Sequence, residues 1–221
     1  MANTLADPKV DAVLSRLFAA AERDDEVRSS LPPDQRHSSN EELTARERAD
    51  TLQDVYMPVS PQGGRLLYAL TRACRPSTVV EFGLSFGIST IHLAAAVTDN
   101  GTGRVVTTEL SDRKIEAARE NLEQAGLAGV VTILPGDALQ TLADVPGPVG
   151  LVLLDGWKEL YVPVLRLLEP RLAPGALVVG DDSSFAVMAD YLAYVRDPAS
   201  GYVSVAFPVA DGMEISSWTG R

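Results

Sequence analysis

Cysteine is almost absent: the 221-residue chain holds one, Cys74. A lone cysteine forms no internal disulfide and completes no metal motif. It reads as a small, half-buried residue. Long apolar runs are missing too. No stretch reaches the about 18 apolar residues that a membrane-spanning helix needs. The start of the chain lacks the charged-then-apolar pattern of a secretory signal. Basic residues are scarce: 19 Lys and Arg stand against 30 Asp and Glu, for a net charge of −11. Nucleic acid is therefore not the expected main partner, because phosphate binding needs a basic surface. Internal repeats and low-complexity segments are not found. These absences predict a soluble cytoplasmic protein with neither membrane nor nucleic acid as partner.

What is present is a core-forming composition, with 46% apolar residues. The length fits one domain plus an extension, read as a helical N-terminal segment over 1–54 and a main domain over 55–221. Residues 8–23 predict an amphipathic helix, capped by Asp7 and opened by Pro8. Val10, Val13, Leu14, Leu17, Phe18 and Ala21 fall on one face of it. Residues 24–40, with Pro32-Pro33 and Ser38-Ser39-Asn40, read as a polar loop. A second helix is expected over 41–54. Nothing in the first 54 residues reads as catalytic. An apolar-faced helix outside the main sheet serves as a lid or a dimer contact, and the dimer, a homodimer, is preferred.

From Val79 onward strand, turn and helix alternate. Strands are predicted at 78–83, 104–109, 130–134, 149–155 and 176–181. Helices are predicted at 64–74, 87–97, 112–125, 138–143, 158–171 and 185–197. The helix over 112–125 has Ser111 as cap, a stripe of Ile115, Ala118, Leu122 and Ala125, and Gly126 as its stop. This alternation means an α/β protein, a parallel sheet with helices on both faces. Tyr202–Phe207 and Met213–Trp218 flank a turn containing Asp211-Gly212. They predict a hairpin whose last strand runs antiparallel at or near the sheet edge.

Two buried-strand patterns end in acids. Val149–Leu154 stops at Asp155, and Ala176–Gly180 stops at Asp181-Asp182. Ligands of open α/β sheets sit beyond the carboxyl ends of such strands. Three carboxylates in one crevice repel each other, and burial adds to the cost. A divalent cation relieves both. An all-oxygen donor set suits Mg²⁺, Ca²⁺ or Mn²⁺ rather than zinc.

The first strand runs into Glu81-Phe82-Gly83-Leu84-Ser85-Phe86-Gly87-Ile88-Ser89. Two glycines, spaced G-x-x-x-G, allow a tight turn and close ligand approach. They do not make the three-glycine cradle of a pyrophosphate. Glu109, at the end of the second strand, can accept from both ribose hydroxyls. Asp137 can accept from an adenine amino group, or simply cap the next helix. These strand ends describe a phosphate-free adenosine cofactor, and S-adenosylmethionine fits. Lys158, three residues past Asp155, sits where a dication would lower its pKa and leave it a base. Taken alone, Lys158 reads as a surface lysine and Glu214 as an edge-strand acid.

Six segments together resemble the cation-dependent O-methyltransferases of the catechol and caffeoyl-CoA type, over about Tyr56 to Trp218. Met57-Pro58-Val59-Ser60 resembles their substrate- and cofactor-contacting segment. Glu81-x-Gly83-x-x-x-Gly87-x-Ser89 resembles their methionine-cradling loop. Glu109 falls on the ribose-binding acid. Asp155-Gly156-Trp157-Lys158 resembles an Asp-His-Trp-Lys motif. Asp181-Asp182 falls on Asp-Asn, and Asp211-Gly212-Met213-Glu214 on a segment whose Glu holds the second catechol hydroxyl. The resemblance implies a Rossmann-like, seven-stranded, mostly parallel sheet with an antiparallel C-terminal hairpin.

It also implies roles. Asp155, Asp181 and Asp182 become metal ligands, with Mg²⁺ expected. Lys158 becomes the base and Glu214 the group that orients the acceptor. Cofactor contacts fall on Met57, Val59, Glu81, Gly83, Ser85, Gly87, Ser89, Glu109, Leu110, Asp137, Ala138, Asp155 and Trp157. The implied reaction moves the methyl of S-adenosylmethionine to a hydroxyl of a catechol-like aromatic small molecule. Three residues depart from the pattern. Gly156 replaces a His beside the adenine, and Asp182 replaces an Asn. Val55 stands where catechol methyltransferases carry a tryptophan gatekeeper, and Ser183-Ser184-Phe185 offers no replacement wall. Three rival readings are a metal-free methyltransferase, a nicotinamide oxidoreductase and a cofactor-binding module without turnover.

Overall fold

The computed structural model describes residues 3–36 and 43–220. Seven strands form one sheet: β1 (Thr78–Phe82), β2 (Arg104–Glu109), β3 (Val131–Pro135), β4 (Val149–Leu154), β5 (Leu172–Asp181), β6 (Tyr202–Phe207) and β7 (Met213–Trp218). Their order is β3-β2-β1-β4-β5-β7-β6. β1 to β5 pair in parallel. β7 runs antiparallel between β5 and β6. The Rossmann-like α/β sheet with an antiparallel hairpin is therefore observed, and β6 rather than the final strand forms the edge. Strand order reverses between β1 and β4, which opens a crevice at their carboxyl ends.

Period-two alternation divides the strands between two cores. Val79, Val105, Leu151, Leu153 and Val179 face a cluster shared with α4 (Pro61–Cys74), α5 (Ile88–Asn100) and α6 (Asp112–Gln124). Val80, Val106, Val152, Leu154 and Val178 face one shared with α7 (Ala138–Thr141), α8 (Tyr161–Leu168) and α9 (Ala189–Arg196). The helix expected over 158–171 is shorter, because tight 3-10 turns flank Tyr161–Leu168 on both sides. Pro170 lies in the second of these turns, where it cannot prolong a helix.

The N-terminal segment differs most from expectation. It holds α1 (Pro8–Ala21), α2 (Asp24–Ser30) and α3 (Ala45–Thr51). The start of the expected loop is thus a helix. Asp24, Asp25 and Glu26 in its first turn suit the positive end of the helix dipole. Ser38-Ser39-Asn40, and residues 41–42 of the expected second helix, lie outside the described residues. On α1, Val10, Val13, Leu14 and Leu17 are buried in the same core as α5. Arg16 donates to Asn121 Oδ1 at 2.9 Å and Gln124 Oε1 at 2.8 Å on α6. The apolar stripe is covered by its own chain, which removes the sequence argument for a dimer contact there. Among the described residues no helix is long and apolar enough to cross a membrane. Leu17→Ala is expected to lower stability by about 2–5 kcal/mol, as for a core leucine. Urea unfolding checks this, and an unchanged midpoint would return α1 to the surface.

Candidate active site

β4 and β5 pair with Leu154 opposite Gly180, so Asp155 and Asp181 leave the sheet side by side. Gly180 permits the packing beneath them: a Cβ there would lie 2.6 Å from the Tyr191 ring. Asp182 follows with φ 62°, in the left-handed region that Asp tolerates better than most side chains. The C-terminal hairpin pins this turn. Ser183 N–H donates to Gly212 O at 3.0 Å and Ser184 N–H to Asp211 O at 2.9 Å. One carboxylate oxygen from each of Asp155, Asp181 and Asp182 lies within 4.8 Å of the others.

The electrostatics follow from that crowding. Burial, then the charge of Asp181, pushes Asp155 well above the usual carboxylate range. Burial, then Asp182, pushes Asp181 up to about 6. Lys158 supplies counter-charge, with Nζ 2.8 Å from Asp182 Oδ2 and 3.7 Å from Asp155 Oδ1. It also donates to Tyr161 Oη at 2.7 Å. Burial works against the ammonium, but Asp155 and Asp182 outweigh it and raise the Lys158 pKa. The lowered value expected of Lys158 presupposed a dication; beside the acids alone the shift is upward. Three clustered carboxylates match the donor chemistry of a hard divalent cation.

From the acids a cavity of about 1130 Å³ runs along the carboxyl ends of β5, β4, β1, β2 and β3. That slightly exceeds the about 300–1,000 Å³ of ordinary small-molecule sites. Met57, Val59, Gly83, Ser85, Ser89, Glu109, Leu110, Asp137, Ala138, Asp155 and Trp157 all line it. Glu81 and Gly87 do not. Gly87 turns the chain into α5 with φ 89°. Glu81 is fully buried and accepts from Ser89 Oγ at 2.7 Å and Thr90 Oγ1 at 2.5 Å. Burial pushes its carboxyl up to about 7. Gly83 is required, since a Cβ there would lie 2.6 Å from the Asp155 carbonyl oxygen. Glu109 accepts from Ser85 N–H at 2.9 Å, Leu110 N–H at 2.8 Å and Ser111 N–H at 2.9 Å. Asp137 caps α7 through Leu139 N–H at 2.9 Å and also lines the cavity.

The N-terminal segment builds part of the wall, which sequence reasoning missed. Met57 and Ser85 both have φ 47°, a strained value for residues with side chains. The Asp24 carboxylate accepts from Tyr56 N–H and Met57 N–H, each at 2.8 Å. Ser85 Oγ donates to Tyr56 O at 2.7 Å. Arg46 donates to Leu110 O at 2.6 Å. Arg48 lies over the Trp157 ring, 4.8 Å from its centroid, and pairs with Glu159. The signals were the acid-rich start of α2 and the Thr44-x-x-Glu47 capping box of α3.

Two expectations need correction. Glu214 does not face the cavity. Alternation along β7 sends Met213 into the α4–α5 core and Glu214 to the other face. There it accepts from Arg196 Nε at 2.8 Å, Arg196 Nη2 at 2.7 Å and Ser204 Oγ at 2.5 Å. Asp211 lines the cavity instead. Val55, which stands in place of the tryptophan, is fully buried. A wall does exist in the segment that seemed to lack one: Phe185 and Val187 line the mouth, 45% and 49% exposed. Gly156 has a reason, because a Cβ would sit 2.4 Å from the Phe82 ring. Phe82 occupies the space that a larger residue at 156 would claim.

A family model described as a methyltransferase domain matches residues 80–183. The catechol O-methyltransferase of Mycobacterium tuberculosis is 38% identical over 125 residues, covering 56% of this chain and 56% of that protein. The catechol O-methyltransferase of Niastella koreensis is 31% identical over 140 residues, covering 60% of this chain and 62% of that protein. The chain thus spans about three-fifths of the length of these curated relatives. The crystal structure of cofactor-bound Rv0187 from MTB superposes with a TM-score of 0.70 at 26% identity, covering 95% of this chain and 91% of that one.

Gly156→Ala should cost about 1–3 kcal/mol by overpacking, and adding Phe82→Leu should recover much of it. Paired urea melts check the compensation; equal losses in both variants would break the link. Glu81 sets a pH dependence. Its folded value, about 7, lies above the ordinary 4.5. Between these values the folded state holds a proton that the unfolded state has lost, so stability falls as pH rises through this window. Glu81→Gln should flatten that part of the slope in stability measured from pH 4.5 to pH 8. An unchanged slope would assign it to other groups.

Proposed function

We propose that this chain, which belongs to the class I S-adenosylmethionine-dependent methyltransferases of the catechol and caffeoyl-CoA O-methyltransferase type, methylates one hydroxyl of a vicinal dihydroxy aromatic small molecule, using S-adenosylmethionine and a divalent cation. One observation carries this reading. The acid trio with Lys158 stands at one end of a cavity whose other end presents Glu109, Asp137 and the Gly83–Ser85 turn. A neighbour of the same fold solved in complex with SAM supports an adenosine cofactor.

In this reading Asp155, Asp181 and Asp182 hold the cation, Mg²⁺ by preference. When bound, the ion acidifies and aligns the acceptor hydroxyl, and the cofactor's sulfonium supplies a reactive methyl group. Lys158 takes the hydroxyl proton. With the acids neutralised, the charges that keep Lys158 protonated are cancelled, while Tyr161 keeps its Nζ in place. Asp211, not Glu214, faces the acceptor end and is assigned the orienting role. Phe185, Val187 and Trp157 offer apolar surface to the ring. Met57, Val59, Gly83, Ser85, Ser89, Glu109, Leu110, Asp137 and Ala138 contact the cofactor; Glu81 and Gly87 support that wall from behind. Arg28, Thr44, Ala45, Arg46 and Ala49 act as a cover over the nucleotide end rather than as a dimer contact. A cytoplasmic location belongs to the same reading.

A metal-free methyltransferase is the second reading, favoured by one observation: Lys158 already pairs with Asp155 and Asp182. S-adenosylhomocysteine release, measured across a panel of vicinal dihydroxy aromatics with Mg²⁺ or EDTA, separates the two. Turnover that needs the ion is expected; turnover that survives EDTA moves the assignment to the second reading. Lys158→Met should lower kcat by about 10²–10⁴-fold, the range for loss of a general base, with S-adenosylhomocysteine affinity retained. Full activity in that variant would remove Lys158 from the chemistry.

A further inference from the structure

Lys114 is the third residue of α6, and no role in the reaction above uses it. It is 4% exposed, yet it lines the large cavity. Among the described residues its ammonium has no hydrogen-bond or ion-pair partner. Its one organised neighbour is the Phe86 ring, whose centroid lies 5.7 Å from Nζ. Phe86 is itself stacked on Tyr56, with centroids 3.9 Å apart and planes 11° from parallel. Both rings line the same cavity. The lysine is therefore held by a built aromatic wall, not left loose at a surface. Burying an ammonium without a partner is costly unless something completes it.

The neighbouring acid narrows what that ligand can be. Burial lowers the Lys114 pKa, and Glu109 is the largest influence opposing the shift. Glu109 can only accept hydrogen bonds and Lys114 can only donate them. An anionic group would gain from Lys114 but be repelled by Glu109. A vicinal diol suits both, because each hydroxyl donates to one and accepts from the other. Backbone N–H groups already fix Glu109 in place at 2.8–2.9 Å.

We propose that Lys114 is a second recognition group for the cofactor's ribose, donating to the diol that donates to Glu109. This rests on the reading that the cavity takes an adenosine cofactor. The test titrates S-adenosylhomocysteine and 5′-methylthioadenosine, which keeps the ribose but lacks the carboxylate, into wild type and Lys114→Met. Calorimetry gives the affinities, and thermal unfolding is followed without ligand. The variant should bind both ligands about tenfold or more weakly, the loss expected for a charged hydrogen bond. Its ligand-free Tm should hold or rise, because a buried charge is removed and its stem volume kept. Equal affinities in the two proteins would overturn the assignment. So would a loss confined to S-adenosylhomocysteine, which points to the carboxylate, or weaker binding with a lower Tm, which marks a structural residue. Wild type that binds neither ligand would remove the adenosine reading itself, and this one with it.

Discussion

The parallel pairing of β4 with β5 puts Leu154 opposite Gly180, and the chain runs on from both into carboxylates. Most of the site's character follows from that register. It sets Asp155 against Asp181, and the left-handed residue Asp182 completes the trio. Like charges in a half-buried crevice cannot all ionise cheaply. The cluster therefore raises the Asp155 and Asp181 carboxyls, pairs with the Lys158 ammonium, and has the all-oxygen donor set that suits a hard cation. The raised values of Asp155 and Lys158 are two outcomes of one crowding.

The fold was largely written in local patterns. Val149–Leu154 and Ala176–Gly180 are apolar runs that only a sheet covered on both faces would tolerate, and both ended at the acids observed. Glu109, Ser85 and Trp157 reach the cavity as their places at strand ends implied. Glu214 misled because a motif match carries no information about which face a strand residue takes. Met213 decided that, by preferring the α4–α5 core. Tyr161 was equally hidden: its hydroxyl matters only once the turn before α8 brings it 2.7 Å from Lys158 Nζ.

The N-terminal segment was the least legible part because its contribution is made of long-range contacts. Asp24 reads as a solvated acid in sequence, yet it stands 2.8 Å from two backbone N–H groups more than thirty residues away. Those bonds hold Met57 in a conformation it would otherwise leave. Arg46 and Arg48 reach two residues that line the cavity, Leu110 and Trp157. The segment matched by the family model, 80–183, carries the acids but not Asp24, Arg46 or Arg48.

Phe82 and Gly156 share one volume, since a Cβ on residue 156 would lie 2.4 Å from the Phe82 ring. Such a pair couples two sites on neighbouring strands, since β1 ends at Phe82 and Gly156 follows β4. The Phe82 ring also meets Tyr161 edge-on, with centroids 6.3 Å apart. A side chain at 156 must displace that ring or strain against it, so what one position tolerates depends on the residue at the other.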